Sequence, residues 1–267
     1  MTTGAVPLRW LVWRFVMASC LLAWFVKLPI QTKLFFQGAE NAIYSQSLLP
    51  DWLCRPDLGG VFYFAPALNL WSLFTRRRGV LLGAGALQVL CSLLMLWHVQ
   101  SYNDFTHLTG FWVGLWLCWW AAQVDKNDEA SHWHGVALAL GIVSLCWLGG
   151  AVGKLTPEYW RGEPFYDLYF MEKDYFPFTY WRAHLPPAQI HLMAQWFSRI
   201  VVVTECLLAT SVFWPTRLAA ISNLLALTGM VIISQLQLFS VLGPLMALSI
   251  AAAWLHDQAP NAPQKTA

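Results

Sequence analysis

Long apolar stretches broken by short polar or charged segments run along the chain at residues 8–26, 60–74, 79–97, 105–123, 135–153, 190–213, 218–234 and 238–256. A helix needs about 20 predominantly apolar residues to cross the hydrocarbon core of a bilayer. The pattern therefore predicts an all-α fold, a polytopic transmembrane helical bundle of about eight spans. Residues 1–256 read as a single transmembrane helical domain and 257–267 as a short polar tail. The second stretch is short and carries Pro66, and only Gln235-Leu236-Gln237 separates the last two. With seven spans instead, the C-terminus would change sides.

Orientation follows from Lys and Arg in the short connections. Arg9 and Arg14 flank the first stretch, Arg76-Arg77-Arg78 joins the second to the third, Lys126 joins the fourth to the fifth, and Arg217 opens the seventh. All fall on one side, which is thereby the cytoplasmic one, with both termini on it. No small-residue cleavage site follows the first stretch, so it reads as a retained signal-anchor helix. The expected location is an integral membrane position, such as the bacterial inner membrane. The outward face receives residues 27–59, the turn around Asn103, the long connection 155–189 and the turn near Gln237.

Composition supports the membrane class: 58% of residues are hydrophobic, 11% are charged and 17 are Trp, where soluble domains carry about a quarter charged residues. A net charge of +2, without a basic aromatic groove, gives no reason to expect nucleic acid as a partner. Of the 6 cysteines, Cys20, Cys91, Cys118, Cys146 and Cys206 lie inside apolar stretches and read as small buried hydrophobes. Neither a CxxC pair nor zinc spacing is present, so no metal is expected.

Against this background a few polar side chains stand out. Lys154 closes an apolar run and opens Lys154-Leu155-Thr156-Pro157-Glu158-Tyr159-Trp160-Arg161-Gly162. An ammonium near hydrocarbon must snorkel, pair, lose its proton or face an internal cavity, so it is either an interfacial anchor or a functional group. The connection that follows interleaves many Tyr, Trp and Phe rings with charges. This long aromatic outward loop is expected at the membrane interface, or folded over the helices as a lid.

On the sixth stretch His191, Gln195 and Arg199 recur on one helical face, and Glu205 lies roughly 120° around from Arg199. Arg199 is expected to turn to a carboxylate or carbonyl of another helix, and Glu205 to need a separate partner. Helix packing competes with function for each. At the outer ends of the third and fourth stretches stand His98, Asn103, Asp104 and His107. Asp104 can orient the His107 imidazole from one turn away, although a capping role for Asn103 and Asp104 competes.

Ala151-Val152-Gly153-Lys154-Leu155 followed by Tyr159-Trp160-Arg161-Gly162 resembles the small-x-x-K-L and W-x-x-G segment of the vitamin K-dependent gamma-glutamyl carboxylase membrane core, the horizontally transferred transmembrane (HTTM) domain family. Tyr102-Asn103-Asp104 through Leu108 is similar to that family's N-H-x-x-L region. Ser234-Gln235-Leu236-Gln237-Leu238-Phe239-Ser240 through Gly243-Pro244 is similar to its late N-S-Q-L-F-S-x-G turn. The resemblance departs where Asp104 stands in place of the family's histidine, and where Ile232 stands near a histidine that the family carries ahead of the late turn. The family's soluble luminal domain has no counterpart in this chain.

The resemblance implies a quinone or hydroquinone as cofactor and Lys154 as the base that deprotonates it. His107 with Asp104 would complete the catalytic set, and Asn103 would lie near the quinone oxygen. His98, Trp160, Arg199 and Glu205 complete the candidate cofactor-contacting set. A lysine desolvated at the edge of a bundle can present a neutral amine to a hydroquinone hydroxyl, and the anion formed would then react with oxygen. The other expectation is a quinone- or lipid-binding or assembly subunit without turnover, whose partners are the lipid bilayer and other membrane-protein subunits.

Overall fold

The computed structural model describes residues 8–36, 56–97, 105–126 and 129–258, and every regular element among them is helical. In chain order these are α1 (Leu8–Phe36), α2 (Pro56–Phe64), α3 (Arg78–Trp97), α4 (Phe105–Gln123), α5 (Glu129–Lys154), α6 (Pro157–Trp160), α7 (Glu163–Phe165), α8 (Phe178–His184), α9 (Pro187–Ala209), α10 (Thr216–Ile233) and α11 (Phe239–Gln258). A 3-10 helix, Ala65–Phe74, continues α2, and a π-helical turn, Tyr166–Glu172, continues α7.

Six helical segments are long and apolar enough to cross a membrane: Leu8–Pro29, Arg78–Trp97, Glu129–Lys154, Pro187–Phe213, Thr216–Ile233 and Phe239–Gln258. An integral membrane protein is compatible with this. Gly60–Phe74 is apolar but shorter, and inside it Pro66 lies at the first turn of the 3-10 helix, where it removes a backbone donor. α4 forms over the predicted residues and carries Thr106, His107, Thr109 and four Trp residues, but it is not among the six. α1 runs past the predicted end at Val26 and contains Pro29, since Lys27 ends the apolar pattern without ending the helix.

The chain divides into two compact units, one of residues 1–139 with 239–267 and one of residues 140–238. In the first, indole N–H groups tie helices to backbone carbonyls. Trp13 donates to the Leu117 carbonyl at 3.0 Å, Trp116 to that of Gly135 at 3.1 Å, and Trp120 to that of Arg9 at 3.0 Å. All three rings are fully buried. Without water to satisfy it, each N–H needs such a partner. α3 and α4 pack closely because Gly85, Gly110 and Gly114 sit at their contact, where added Cβ atoms would come within 2.9 Å of Cys118, Ser92 and Val89 side-chain atoms. Arg9 is buried and donates to the Gln123 carbonyl at 2.9 Å and to Ser131 Oγ at 2.6 Å, with its guanidinium over the Trp120 ring.

In the second unit the aromatic connection is folded rather than open. Thr156 caps α6 by accepting from the Tyr159 N–H, with Pro157 at the first turn. Phe165, Phe170, Tyr175 and Phe178 form a buried cluster against Ile190 and Ala194 of α9. Arg182 Nη1 donates to the Phe170 and Met171 carbonyls at 2.9 Å each and ties α8 to the π-helical turn. A buried polar chain fastens α5, the 3-10 turn Ser211–Phe213 that follows α9, and α10. Trp147 donates to Asn223 Oδ1 at 2.8 Å, Asn223 donates to Ser211 Oγ at 3.0 Å, and Ser211 and Ser144 share a 3.0 Å bond.

Gly162 lets α6 and α7 close on α9. Its φ is +83°, and a Cβ there would lie 2.6 Å from the Gln195 backbone. Gly162→Ala should therefore lower stability by about 2 kcal/mol or more, from left-handed strain and backbone overlap together. Gly141→Ala, where a Cβ meets nothing within 4 Å, should leave the melting temperature of the purified protein unchanged or raise it.

Candidate functional site

Two opposite charges of the second unit's apolar helices meet at one place. Lys154, the last residue of α5, donates from Nζ to both Glu205 carboxylate oxygens at 2.8 Å and to the Gly150 carbonyl at 3.2 Å. Glu205 comes from α9 with a side chain 6% exposed, and that of Lys154 is 25% exposed. The carboxylate lies flat on the α5 backbone because position 150 has no side chain: a Cβ there would be 3.2 Å from Glu205 Oε2. The lysine's charge is thus matched at contact distance by a buried carboxylate, which removes the need for Nζ to reach water.

The pair lies on the wall of a cleft of about 380 Å³ whose lining is otherwise largely apolar and aromatic. Trp147 of α5, Phe165, Tyr169 and Phe178 of the aromatic segment, Phe197 and Val201 of α9, and Gly229 of α10 contribute to it. Its volume suits a small organic molecule or part of a lipid chain. Besides the pair, polar groups on the wall include Thr204, Ser234, Tyr169 and Tyr175, with Tyr175 donating to Gln237 Oε1 at 3.2 Å. Burial, and then the neighbouring tyrosine and Glu205, push the Tyr159 and Tyr169 phenols above their ordinary range. Both therefore remain protonated hydrogen-bond donors across physiological pH.

The other candidates are distributed differently. Arg199 meets the expectation of a carbonyl on another helix by donating to that of Trp160 at 3.3 Å, and its guanidinium lies over the Trp160 and Trp196 rings. Trp160 is exposed and Arg199 half-buried, and both lie outside the cleft lining. His191, on the same face of α9, stacks on Tyr166 with centroids 3.7 Å apart. His107 is fully buried in the first unit, edge-on to Trp24 and Tyr63. His98, Asn103 and Asp104 lie outside the described residues. The expected gathering of Lys154, His107 and Asn103 thus spans both units and a residue outside the described ones. What joins Lys154 within its own unit is Glu205.

The partnership of Lys154 with Glu205 was not drawn from the sequence, although one signal for it was present. Each is an isolated ionisable residue of an apolar stretch, and opposite charges in such positions pair. The lining of the cleft by Thr204, Gly229 and Ser234 carried no comparable signal. Among the described residues, no group of three or more His, Cys, Asp or Glu is placed to hold a metal ion. No protein-family model, curated protein or solved structure matches the chain.

Removing one member of the pair strands the other. Lys154→Met and Glu205→Gln should each destabilise the protein, whereas the double variant should recover part of the loss, with a coupling of about 1–3 kcal/mol. Thermal unfolding of the four proteins in one detergent measures this, and additive losses would show that the contact carries no net energy.

Proposed function

We propose that this chain is an integral membrane protein of about eight spans that binds an apolar molecule with a polar head, of the quinone or membrane-lipid class. We propose that it does so without turnover, as a binding or assembly subunit of a membrane complex. The observation that carries this reading is the Lys154–Glu205 pair on the wall of an apolar cleft. A hydrophobic cavity with a few fixed polar groups is how proteins hold such molecules, and ionisable groups inside membrane-spanning helices commonly mark substrate or ion pathways. The likeness to the carboxylase membrane core at residues 151–162 points the same way.

A second reading, oxygen-dependent base chemistry on a reduced quinone at Lys154, draws on the same likeness and on the position of Lys154 in the cleft lining. A base needs a lone pair aimed at its substrate. The contacts of Nζ, two carboxylate oxygens and one carbonyl, match the three N–H donors of an ammonium instead. That geometry favours binding. The aromatic segment 157–184 supplies the rigid ring surface that partner subunits select, and the basic residues 76–78 favour cytoplasmic termini, as in a bacterial inner-membrane protein.

Two measurements test the proposal. In a cysteine-free background, single cysteines at Glu172 and Gln264 should label from opposite sides of the membrane, and labelling from one side would overturn the topology. Extraction of the purified protein followed by mass spectrometry should recover a quinone or lipid in near-stoichiometric amount. Gly229→Phe should sharply reduce it while the protein stays folded, because Gly229 lines the cleft and a Cβ there meets nothing within 4 Å. Turnover of a reduced naphthoquinone to its epoxide by the pure chain would favour the enzyme reading instead.

A further inference from the structure

The amphiphile-binding reading leaves open what kind of head the cleft accepts, and the geometry of its charged pair bears on that. We infer that Glu205 is the specificity-determining residue of the cleft: it restricts the ligand to electrically neutral, hydroxyl-bearing amphiphiles and excludes fatty-acid anions. This inference rests on the binding reading above.

An ammonium on the wall of an apolar cleft is, by itself, a receptor for carboxylates and phosphates. Here that capacity is already spent. Two of its three donors go to Glu205 at 2.8 Å and the third to the Gly150 carbonyl at 3.2 Å. A carboxylate ligand approaching Lys154 would have to break a contact to Glu205 and would then lie beside a second carboxylate, in an environment that screens charge poorly. Glu205 cannot swing away into water, since its side chain is 6% exposed and lies against the Gly150 backbone. A cationic head fares no better, because the carboxylate it would seek already holds an ammonium.

What remains open on the pair is acceptor capacity. Each Glu205 oxygen accepts one N–H from Lys154, while a carboxylate offers about four lone-pair sites in all. A neutral ligand O–H can use the remainder without disturbing the pair. The Tyr169 hydroxyl and Thr204 on the same wall can complete its hydrogen bonds, and the Phe165, Phe178 and Phe197 rings can cover an apolar body. A membrane alcohol such as a diacylglycerol shares this chemistry with a quinol.

The test uses cis-parinaryl alcohol, cis-parinaric acid and cis-parinaryl amine, fluorescent probes that differ only at the head, with the full chain in neutral detergent micelles. The unaltered protein should bind the alcohol at least about tenfold more tightly than the ionised acid or the charged amine. Glu205→Gln should invert the preference toward the acid, and Lys154→Gln should shift it toward the amine. The second variant decides the matter should the first fail to fold. Displacement of the alcohol by dioleoylglycerol or by a decyl benzohydroquinone identifies which source of hydroxyl the cleft takes, and displacement by palmitate would overturn the inference. Equal binding of alcohol and acid by the unaltered protein, or an unchanged preference in the folded variants, overturns the selection by Glu205 alone. Failure of every probe to bind the unaltered protein overturns the binding reading, and the selection with it.

Discussion

The contact between Lys154 and Glu205 is the constraint around which the second unit is organised. An unmatched ammonium or carboxylate inside an apolar bundle carries a desolvation penalty of several kcal/mol, and the two residues are 51 positions apart in the chain. Bringing them together requires the end of α5 to meet the C-terminal part of α9, which Gly150 permits by leaving room for the carboxylate. The aromatic segment then runs back along α9 from this contact toward the helix start at Pro187. It fills that path with rings packed on one another and on α9, with Gly162 at the closest approach. The Trp147–Asn223–Ser211–Ser144 chain holds α10 to the same framework.

This arrangement has a chemical consequence. The pair is electrically neutral as a unit, yet its members keep polar capacity toward the cleft. An apolar cavity with a neutral dipolar wall differs from one with a bare cation: it offers hydrogen bonds without attracting the opposite charge. Pairing also accounts for why a lysine at the end of an apolar helix need not snorkel to the interface, as an anchoring lysine would.

The helices were largely legible in the sequence because hydrophobic length is a local property. The stretches at 79–97, 105–123 and 218–234 correspond closely to α3, α4 and α10. Where expectation and structure part, the reasons are also local. The second stretch is an α-helix followed by a 3-10 helix with Pro66 at its first turn, and it is too short to count among the six apolar helices. The connection 155–189 showed its aromatic density but not its fold, since ring-on-ring packing has no sequence period. The site was legible only in part. Lys154 and Glu205 were conspicuous as charges in apolar surroundings, but helical-wheel geometry relates residues within one helix and could not pair two helices. Arg199 found a carbonyl partner as expected, yet that partner, Trp160, is exposed and neither residue lines the cleft.

The proposed occupant of the cleft beside Lys154 and Glu205 would be held there in the native membrane. That proposal is tested most directly by photolabelling the protein in native membranes with a diazirine-bearing long-chain alcohol and mapping the adducts by peptide mass spectrometry. The account predicts adducts concentrated on the cleft-lining residues of α9 and α10, around Thr204 and Gly229, and competed away by excess unlabelled alcohol. Adducts spread evenly over the exposed apolar faces of α1, α3 and α10, unaffected by competitor, would contradict it.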